Sequence, residues 1–351
     1  MAAEQVRLQQ FMEKMIGDLG AAASAALVVL GDRLGLYRAL AEAGPLDSAA
    51  LAARTGTSER HVREWLAAQA AAGFISYDPA ARRYWLSPEQ ATVFADEGSP
   101  AFMPGGFQVV ASMFRDEDKL ADAFRTGKGV GWHEHDPLLY RGTERFFRPG
   151  YAAHLVSEWI PALDGVSEKL QRGACVADVG CGHGTSTIVM ARAYPQSTFI
   201  GFDYHPASIE RARELAREVG VAQRVSFEVG TAKNYPGTYD LVAFFDCLHD
   251  MGDPAGAARH VYQSLTDDGA WMLVEPFAHD RMEDNFNPIG RLFYAASTMI
   301  CTPASLAQEV GLGLGAQAGE QRLREVVMAG GFTRFRRATQ TPVNLVFEAR
   351  R

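Results

Sequence analysis

The chain has 351 residues, of which 47% are hydrophobic and 22% are charged, and this size and composition predict a folded protein of two domains. Its formal net charge of −8 provides no overall attraction for nucleic acid or for an anionic membrane. The four cysteines show no paired metal-ligand spacing, so we interpret them as reduced thiols and predict no metal site.

The first apolar stretch, at residues 21–30, is about ten residues long, against the roughly 20 that a membrane-spanning helix needs. Acidic residues precede this stretch and no obvious cleavage motif follows it, which disfavours a signal peptide. We therefore predict a cytoplasmic protein that does not enter a membrane. The apolar surface of residues 21–40 exceeds what a lone terminal helix should expose, which predicts a homodimer through the N-terminal region.

The next segment has the pattern of a helix-turn-helix, with a first helix and turn at residues 46–58. Gly56 marks the turn, Ser58 is a suitable N-cap for the second helix, and Gly73 ends that helix. Two short strands around a turn then predict the wing of a winged helix, at residues 74–77 and 83–86.

The charge of this winged helix bears on whether it binds DNA. Residues 21–97 contain seven arginines and no lysine against nine acidic residues, whereas DNA-binding domains carry a basic face. We therefore interpret the segment as a domain for packing, dimerisation and substrate covering, with nucleic acid as a disfavoured partner. A ligand-responsive transcriptional regulator remains the alternative.

Residues 98–170 predict a helical connector that is rich in aromatic and histidine side chains. We expect a substrate pocket lined by rings from this region and from one later tyrosine, namely Trp132, His133, Phe147, Tyr151 and Tyr294. The competing interpretation is that these rings pack the join between the domains. His133 and His135 would share one face of a strand, but two ligands do not make a metal site.

The strongest motif is a short apolar strand that turns through a glycine loop into a helix, at residues 174–187. Three glycines permit the tight turn and the close approach of a ligand to the backbone, namely Gly180, Gly182 and Gly184. A dinucleotide-binding fingerprint would place its third glycine at position 185, which holds Thr185. The observed spacing, with Asp178 two residues ahead, favours a methyltransferase over a dehydrogenase.

The segments after this loop predict an α/β sheet of seven strands, whose final hairpin includes an antiparallel strand. The second strand ends at Asp203, where a carboxylate can accept both ribose hydroxyls of a nucleoside, although capping of the next helix is an alternative role. Thr231 and Ala232 follow the third strand. The remaining strands are predicted at residues 240–246, 270–275, 333–339 and 344–349.

Residues 171–351 resemble a class I S-adenosylmethionine-dependent methyltransferase with a Rossmann-like fold. The whole chain is similar to small-molecule O-methyltransferases that dimerise through a winged-helix domain, and still more to an actinobacterial group of winged-helix methyltransferases. We therefore expect three parts, at residues 1–97, 98–170 and 171–351. The resemblance implies S-adenosyl-L-methionine as the cofactor, bound by Asp178, Gly180, Cys181, Gly182, Gly184, Asp203, Tyr204, Thr231, Ala232, Asp246 and Cys247.

The His-Asp-Trp-x-Asp motif of these O-methyltransferases corresponds to residues 249–253, with Met251 in place of the tryptophan. The resemblance implies that His249 is the general base, that Glu275 flanks it, and that the acceptor is a hydroxyl of a small aromatic or polyketide-like metabolite. A second family glutamate has no clean match, and Glu320 is the nearest one. N-, C- or S-methylation, and a cofactor-retaining enzyme with other chemistry, remain alternatives on the same fold.

Overall fold

The computed structural model describes residues 2–351, and describes side chains from residue 3 onward. Two compact units make up the chain. The first contains the described residues up to Arg115 together with Pro137–Gly150, and the second contains Asp116–Asp136 and Tyr151–Arg351. The predicted connector, residues 98–170, therefore contributes to both units, and the three-part division of the chain stays a prediction.

The first unit is mainly helical and carries one small β-hairpin. The strands β1 (Ser76–Asp78) and β2 (Arg83–Trp85) are antiparallel and form the predicted wing. The helices are α1 (Ala2–Arg33), α2 (Leu36–Ala43), α3 (Ser48–Thr55), α4 (Glu59–Ala71), α5 (Pro88–Phe94) and α6 (Pro104–Arg115).

The helix-turn-helix is held by a cap, a glycine turn and an aromatic core. Asp47 caps α3 by accepting a hydrogen bond from the backbone N–H of Ala50, and Gly56 ends it with a left-handed φ of 64°. Ser58 occupies the N-cap position of α4 as predicted, but its side chain makes no capping hydrogen bond. Tyr37 packs edge-on against Trp65 with 5.0 Å between the ring centroids, which anchors α4.

The first helix is far longer than its apolar run, because α1 continues through the polar residues ahead of position 21. Over Ala3–Arg33 the helix is long and apolar enough to cross a membrane, with a mean hydropathy of 1.5 over 18 residues of which 17% are buried. Such a helix is weak evidence for a span. The length of the apolar run therefore does not exclude a membrane-spanning helix, because that run is only part of α1.

A seven-stranded sheet forms the centre of the second unit, in the order β5-β4-β3-β6-β7-β9-β8. Its strands are β3 (Cys175–Val179), β4 (Thr198–Asp203), β5 (Val225–Val229), β6 (Tyr239–Phe245), β7 (Leu265–Pro276), β8 (Arg334–Gln340) and β9 (Asn344–Arg350). Strands β3 to β7 are parallel, whereas β9 is antiparallel to both β7 and β8. This topology confirms the predicted α/β sheet and its final hairpin.

The remaining helices follow along the chain, and most of them belong to the second unit. They are α7 (Glu117–Thr126), α8 (Leu138–His154, which belongs to the first unit up to Gly150), α9 (Val166–Arg172), α10 (Thr185–Ala193), α11 (Pro206–Glu218), α12 (Pro254–Ser264), α13 (Pro288–Ala296), α14 (Thr302–Leu306) and α15 (Gly319–Ala329). Two π-helical turns interrupt the helices, at Leu155–Trp159 and Ser297–Cys301. Phe244, Trp271 and Phe347 lie in the core and are fully buried.

Candidate active site

The carboxyl ends of the parallel strands bring the predicted site residues to one edge of the sheet. Strand β3 pairs with β4 on one side and with β6 on the other, so the segments that follow these three strands are neighbours. Ligands of open α/β sheets bind at this edge. The glycine loop follows β3, Asp203 ends β4, and Asp246 follows β6.

The glycine loop after β3 has the backbone conformation that its glycines permit. Gly180, Gly182 and Gly184 have φ values of 75°, 53° and 76°, in the left-handed region. A Cβ at Gly180 would lie 2.7 Å from Cys247 Sγ, whereas one at Gly182 would meet nothing within 4 Å. The loop is therefore packed against the protein at its start and open at its centre, where a ligand can approach the backbone.

Asp178 is buried next to this loop, and only one of its two carboxylate oxygens accepts hydrogen bonds from the described residues. Its Oδ2 accepts hydrogen bonds from the hydroxyls of Ser186 and Thr187, both at 2.6 Å. Its Oδ1 is buried and has no hydrogen-bond partner among residues 3–351. Burial raises the pKa of Asp178 to about 6. An unsatisfied buried oxygen is unfavourable, so this position suits a ligand that donates a hydrogen bond.

Asp203 connects the glycine loop to the helix after β4. Its Oδ2 accepts the N–H of Gly182 and its Oδ1 accepts the N–H of His205, each at 2.9 Å. The carboxylate therefore has a structural role, and each oxygen keeps a further lone pair for a ligand. The next residue, Tyr204, is exposed, and its ring lies edge-on to His133 at 6.3 Å. The structure thus places His133 beside the end of β4.

The remaining candidates for cofactor contacts lie around the same edge. Thr231 is exposed after β5 and forms a β-bridge with Asn234, and Ala232 packs partly buried against the core. The Cys247 thiol donates to the carbonyl of Val179 at 3.3 Å. Burial raises the pKa of both Cys181 and Cys247 well above the ordinary value, so neither thiol ionises readily as a nucleophile would.

His249 is the middle residue of the 3₁₀ turn Leu248–Asp250 after β6, and it lies between two carboxylates. Its Nδ1 lies 2.6 Å from Oε2 of Glu275, and its Nε2 lies 3.2 Å from Oδ1 of Asp250. The other oxygen of Glu275 accepts the backbone N–H of Leu248 at 3.0 Å, which fixes the carboxylate. His249 and Glu275 are both buried. Glu275 lies on strand β7, so its contact with Nδ1 fixes the orientation of the imidazole relative to the sheet.

Electrostatics make this histidine a strong base. Burial opposes protonation of His249, but the negative charges of Asp250 and Glu275 outweigh it and raise its pKa well above the ordinary value. The pKa of Asp250 is also raised, by burial first. The three groups therefore titrate as one coupled cluster.

Sequence reasoning identified Glu275 but missed the carboxylate on the other side of His249. The uncertain match, Glu320, instead forms ion pairs with Arg324 and Arg337. Asp250 is the second carboxylate that contacts the imidazole. Its adjacency to the histidine in the sequence was the available signal.

Cys301 also reaches this cluster, through the π-helical turn Ser297–Cys301. π-helical turns often occur at functional sites. Burial and the charge of Asp250 raise the pKa of Cys301 to about 12, so it is a neutral thiol. One trio of metal-ligating types meets in the described part of the chain, because donor atoms of His249, Asp250 and Cys301 lie within 4.8 Å of one another. The prediction of a metal-free site stays a prediction.

Asp246 has an unusual backbone conformation and two hydrogen-bond donors. Its φ of 50° is left-handed, one of three such values at non-glycine residues among residues 2–351. The hydroxyl of Tyr151 donates to its Oδ2 at 3.1 Å, and Nδ2 of Asn344 donates to its Oδ1 at 2.8 Å. Sequence reasoning gave no sign of Asn344, which begins the last strand.

The other residues predicted to line an acceptor pocket are dispersed. Trp132 is half-buried on a 3₁₀ turn, Tyr294 is half-buried on α13, and Phe147 belongs to the first unit, where it packs against Phe146. His133 and His135 flank the end of the turn rather than sharing a strand face. His135 is buried, and its Nδ1 lies 2.9 Å from Oδ2 of Asp116.

Two family models match the chain. Residues 170–324 match a methyltransferase domain, and residues 22–95 match an Rv2258c-like winged HTH domain. The chain is similar to the norajmaline N-methyltransferase of Rauvolfia serpentina, with 27% identity over 155 residues, or 43% of this chain and 52% of that protein. The chain thus spans about half the length of that curated relative.

Solved structures share the fold over nearly the whole chain. The mitomycin 7-O-methyltransferase MmcR has 22% identity and a TM-score of 0.70, with both chains fully covered. Human N-acetylserotonin methyltransferase in complex with SAM has 18% identity and a TM-score of 0.74, with 97% of each chain covered. At these identities the likeness establishes the fold alone, which is the predicted class I methyltransferase fold.

Proposed function

We propose a function on the premise that this chain belongs to the methyltransferase domain family over residues 170–324 and to the Rv2258c-like winged HTH domain family over residues 22–95. The chain is an S-adenosylmethionine-dependent enzyme that methylates a hydroxyl of a small aromatic or polyketide-like molecule, with His249 as the general base. The observation that carries this proposal is the buried His249, held between Glu275 and Asp250 at the same sheet edge as the glycine loop.

The cofactor side of the site fits S-adenosylmethionine. Asp178 offers a buried oxygen without a partner, the open Gly182 allows close approach, and Asp203 has lone pairs available to ribose hydroxyls. When bound, the cofactor supplies an electrophilic methyl group. The protein's own contribution is to hold the acceptor oxygen in line with that group and to exclude water, because positioning accounts for much of the acceleration of such displacements.

The base side of the site fits the removal of a proton from a hydroxyl. Glu275 fixes Nδ1 of His249, which leaves Nε2 as the atom that can accept the proton once it is free. The two carboxylates stabilise the imidazolium that results. Because these carboxylates raise the pKa of His249, the imidazole is a stronger base than a free one and is better matched to a phenol.

The acceptor atom has one competing assignment. The similar plant enzyme is an N-methyltransferase by name, and an amine acceptor needs a base less than a phenol does. We favour the hydroxyl because a buried histidine between two carboxylates is suited to removing a proton from the acceptor. An unprotonated amine does not need to lose a proton before it is methylated.

The surface of the winged helix does not favour the alternative of a DNA-binding regulator. On α4, Arg60 pairs with Glu64 at 2.6 Å and Arg63 pairs with Glu59 at 2.6 Å. Each arginine therefore has a neutralising partner on the helix that would enter the DNA groove, where binding needs free cationic groups. We propose instead that this region forms a homodimer, and that the protein is cytoplasmic.

The proposal is tested by incubating the purified chain with S-adenosylmethionine and a panel of phenols, polyketide-like phenols and secondary amines. We expect products heavier by one methyl group from the phenols, with the methyl placed on oxygen by NMR. Methylation of the amines alone would replace the O-methyltransferase assignment with the N-methyltransferase one. Calorimetric titration showing no S-adenosylmethionine binding would refute the proposal as a whole.

A further inference from the structure

Two acidic side chains at the candidate site accept their side-chain hydrogen bonds from neutral groups, with no lysine or arginine among these donors in the described residues. Asp178, under the glycine loop, receives hydrogen bonds from neutral hydroxyls, and Asp246, after β6, receives them from Tyr151 and Asn344. Among the described residues, no lysine or arginine is one of the largest influences on the pKa of either carboxyl, and His249 is the cationic group that lowers the pKa of Asp246. Unbalanced negative charge in a partly desolvated site is unfavourable, and a cationic ligand would relieve it.

Asp246 is held in place at a conformational cost. Its left-handed φ of 50° is unfavourable for a residue with a Cβ, although aspartate tolerates it better than most. Donors from two other elements fix the carboxylate, Tyr151 from α8 and Asn344 from β9. The side chain is half-buried, so a ligand can reach it. Strain that is maintained by surrounding contacts is typical of functional positions.

The surroundings of Asp246 place it between the two halves of the site. Burial, and then the negative charge of Glu275, raise the pKa of Asp246 to about 8, while the positive charge of His249 opposes this increase. A second cation beside the carboxyl would lower this pKa and keep the group ionised at neutral pH. Tyr151 interacts electrostatically with Asp246 and with Asp178 under the glycine loop. The next residue, Cys247, contacts the start of the glycine loop through its thiol, which donates to the carbonyl of Val179 at 3.3 Å, and the 3₁₀ turn that carries His249 follows directly. Asp246 therefore lies between the glycine loop, proposed to bind the cofactor, and His249, proposed to take the acceptor proton.

In the proposed reaction the methyl group passes from the cofactor to the acceptor, and Asp246 lies between the residues proposed for each. We propose that the carboxylate of Asp246 is the counter-ion of the positively charged sulfur of S-adenosylmethionine. The inference rests on the proposed function and adds to it a preference for the charged form of the cofactor. Methyl transfer moves the methyl carbon from sulfur to the acceptor oxygen, and the electron pair of the carbon–sulfur bond stays on sulfur, which becomes a neutral thioether. The acceptor proton goes to His249.

The consequence is a preference for the substrate form of the cofactor over its product. S-adenosylmethionine carries the charge that Asp246 recognises, whereas S-adenosylhomocysteine does not. The two ligands are otherwise alike apart from the methyl group. The site should therefore bind S-adenosylmethionine more tightly than the product, which favours product release.

The test is calorimetric titration of both ligands into wild-type protein and into Asp246→Asn, which removes the charge and keeps the shape. We expect the S-adenosylmethionine affinity to fall about tenfold, which is the size of one charge-assisted interaction, while the S-adenosylhomocysteine affinity stays nearly the same. The ratio of the two dissociation constants is the readout. Partial unfolding lowers both apparent affinities alike and leaves this ratio unchanged.

The matched control is Tyr151→Phe, which removes a hydrogen bond to the same carboxylate and keeps its charge, so the ratio should stay at the wild-type value. Asp246→Ser serves as a second charge-removing variant if Asp246→Asn does not fold. An unchanged ratio in the folded charge-removing variant would overturn the inference while leaving the proposed function standing. Wild-type protein that binds neither ligand would instead refute the proposed function.

Discussion

At the scale of single residues, the behaviour of the site depends on where one proton resides. Nδ1 of His249 lies 2.6 Å from Glu275, and Nε2, which would take the acceptor proton, lies 3.2 Å from Asp250. Both carboxylates raise the pKa of the imidazole. A base with a raised pKa is stronger, but a smaller fraction of it is neutral at a given pH. The activity of the wild-type enzyme should therefore rise with pH beyond the range in which an ordinary histidine has already lost its proton.

Replacing the base tests its role directly. In His249→Asn we expect turnover to drop by roughly 10²–10⁴, the usual contribution of a positioned general base. Cofactor affinity should remain nearly unchanged, because the proposed role of His249 concerns the acceptor. Activity should recover in part near pH 10, because a phenol in solution has a pKa of about 10 and then loses its proton without a base. The measurements are a pH–rate profile, a binding isotherm and a melting curve on the same protein.

The two alternative outcomes for His249→Asn have different meanings. A purely structural histidine would lower stability and cofactor binding together and would show no recovery at high pH. Turnover near the wild-type level at neutral pH would show that positioning alone drives the reaction, as expected for an amine, thiolate or carbanion acceptor.

Removing the second carboxylate should shift the pH dependence. Asp250→Asn deletes a negative charge beside Nε2 of His249, so it should lower the pKa of the histidine. The neutral, active form of the base then persists to lower pH. We expect the acidic limb of the pH–rate profile to lie at lower pH than in the wild type. Because a base with a lower pKa is weaker, the maximal rate should also be lower. A limb that stays in place would mean that Asp250 does not control the base.

At the scale of elements, the pattern of apolar runs between turn residues was enough to predict the sheet. The strands around the glycine loop are buried, β-branched or aromatic, and flanked by glycine or polar residues, which are local signals. Strand β7 begins five residues before its predicted start, at Leu265, because the polar segment up to Gly269 has the composition of a turn. Helix α1 was underestimated because polar residues interrupt its apolar ones ahead of position 21.

The candidate site was predictable only where a motif marked it. The pairing of His249 with Glu275 follows from two adjacent parallel strands ending at one edge, and the sequence motif indicated both residues. Cys301 and Asn344 could not be predicted, because a π-helical turn and a contact across 98 residues bring them to the site without any local signal. Long-range contacts of this kind depend on the packed fold.

The glycine loop offers a matched pair of substitutions. Gly180→Ala and Gly182→Ala share the cost of a left-handed backbone, about 1–2 kcal/mol. The Cβ at Gly180 would also lie 2.7 Å from Cys247 Sγ, whereas the Cβ at Gly182 meets nothing within 4 Å. Urea unfolding should therefore give a larger loss of unfolding free energy for Gly180→Ala. Adding Cys247→Ala should recover part of that loss, and equal losses in the two single variants would contradict the packing argument.

At the scale of the whole molecule, α1 presents apolar side chains that a lone helix in water should not expose. Leu8, Ile16 and Leu19 are each at least 60% exposed in the structure of the single chain. Exposed apolar patches of this kind mark interfaces with proteins or membranes. The formal charge of −8 gives no attraction to an anionic membrane, so we favour a second copy of this chain as the partner.

The homodimer has a direct test in the full chain without detergent. Light scattering coupled to gel filtration should give twice the chain mass of 38.2 kDa at micromolar concentration. Replacing Ile16 and Leu19 with glutamate should yield a monomer, because charged side chains oppose burial of that face. The matched control places glutamate at Gln9 and Gln10, which are already polar, and should leave the dimer intact. A wild-type monomer at micromolar concentration would rule out the dimer, and sedimentation of that monomer with neutral lipid vesicles would assign the apolar face of α1 to a membrane instead.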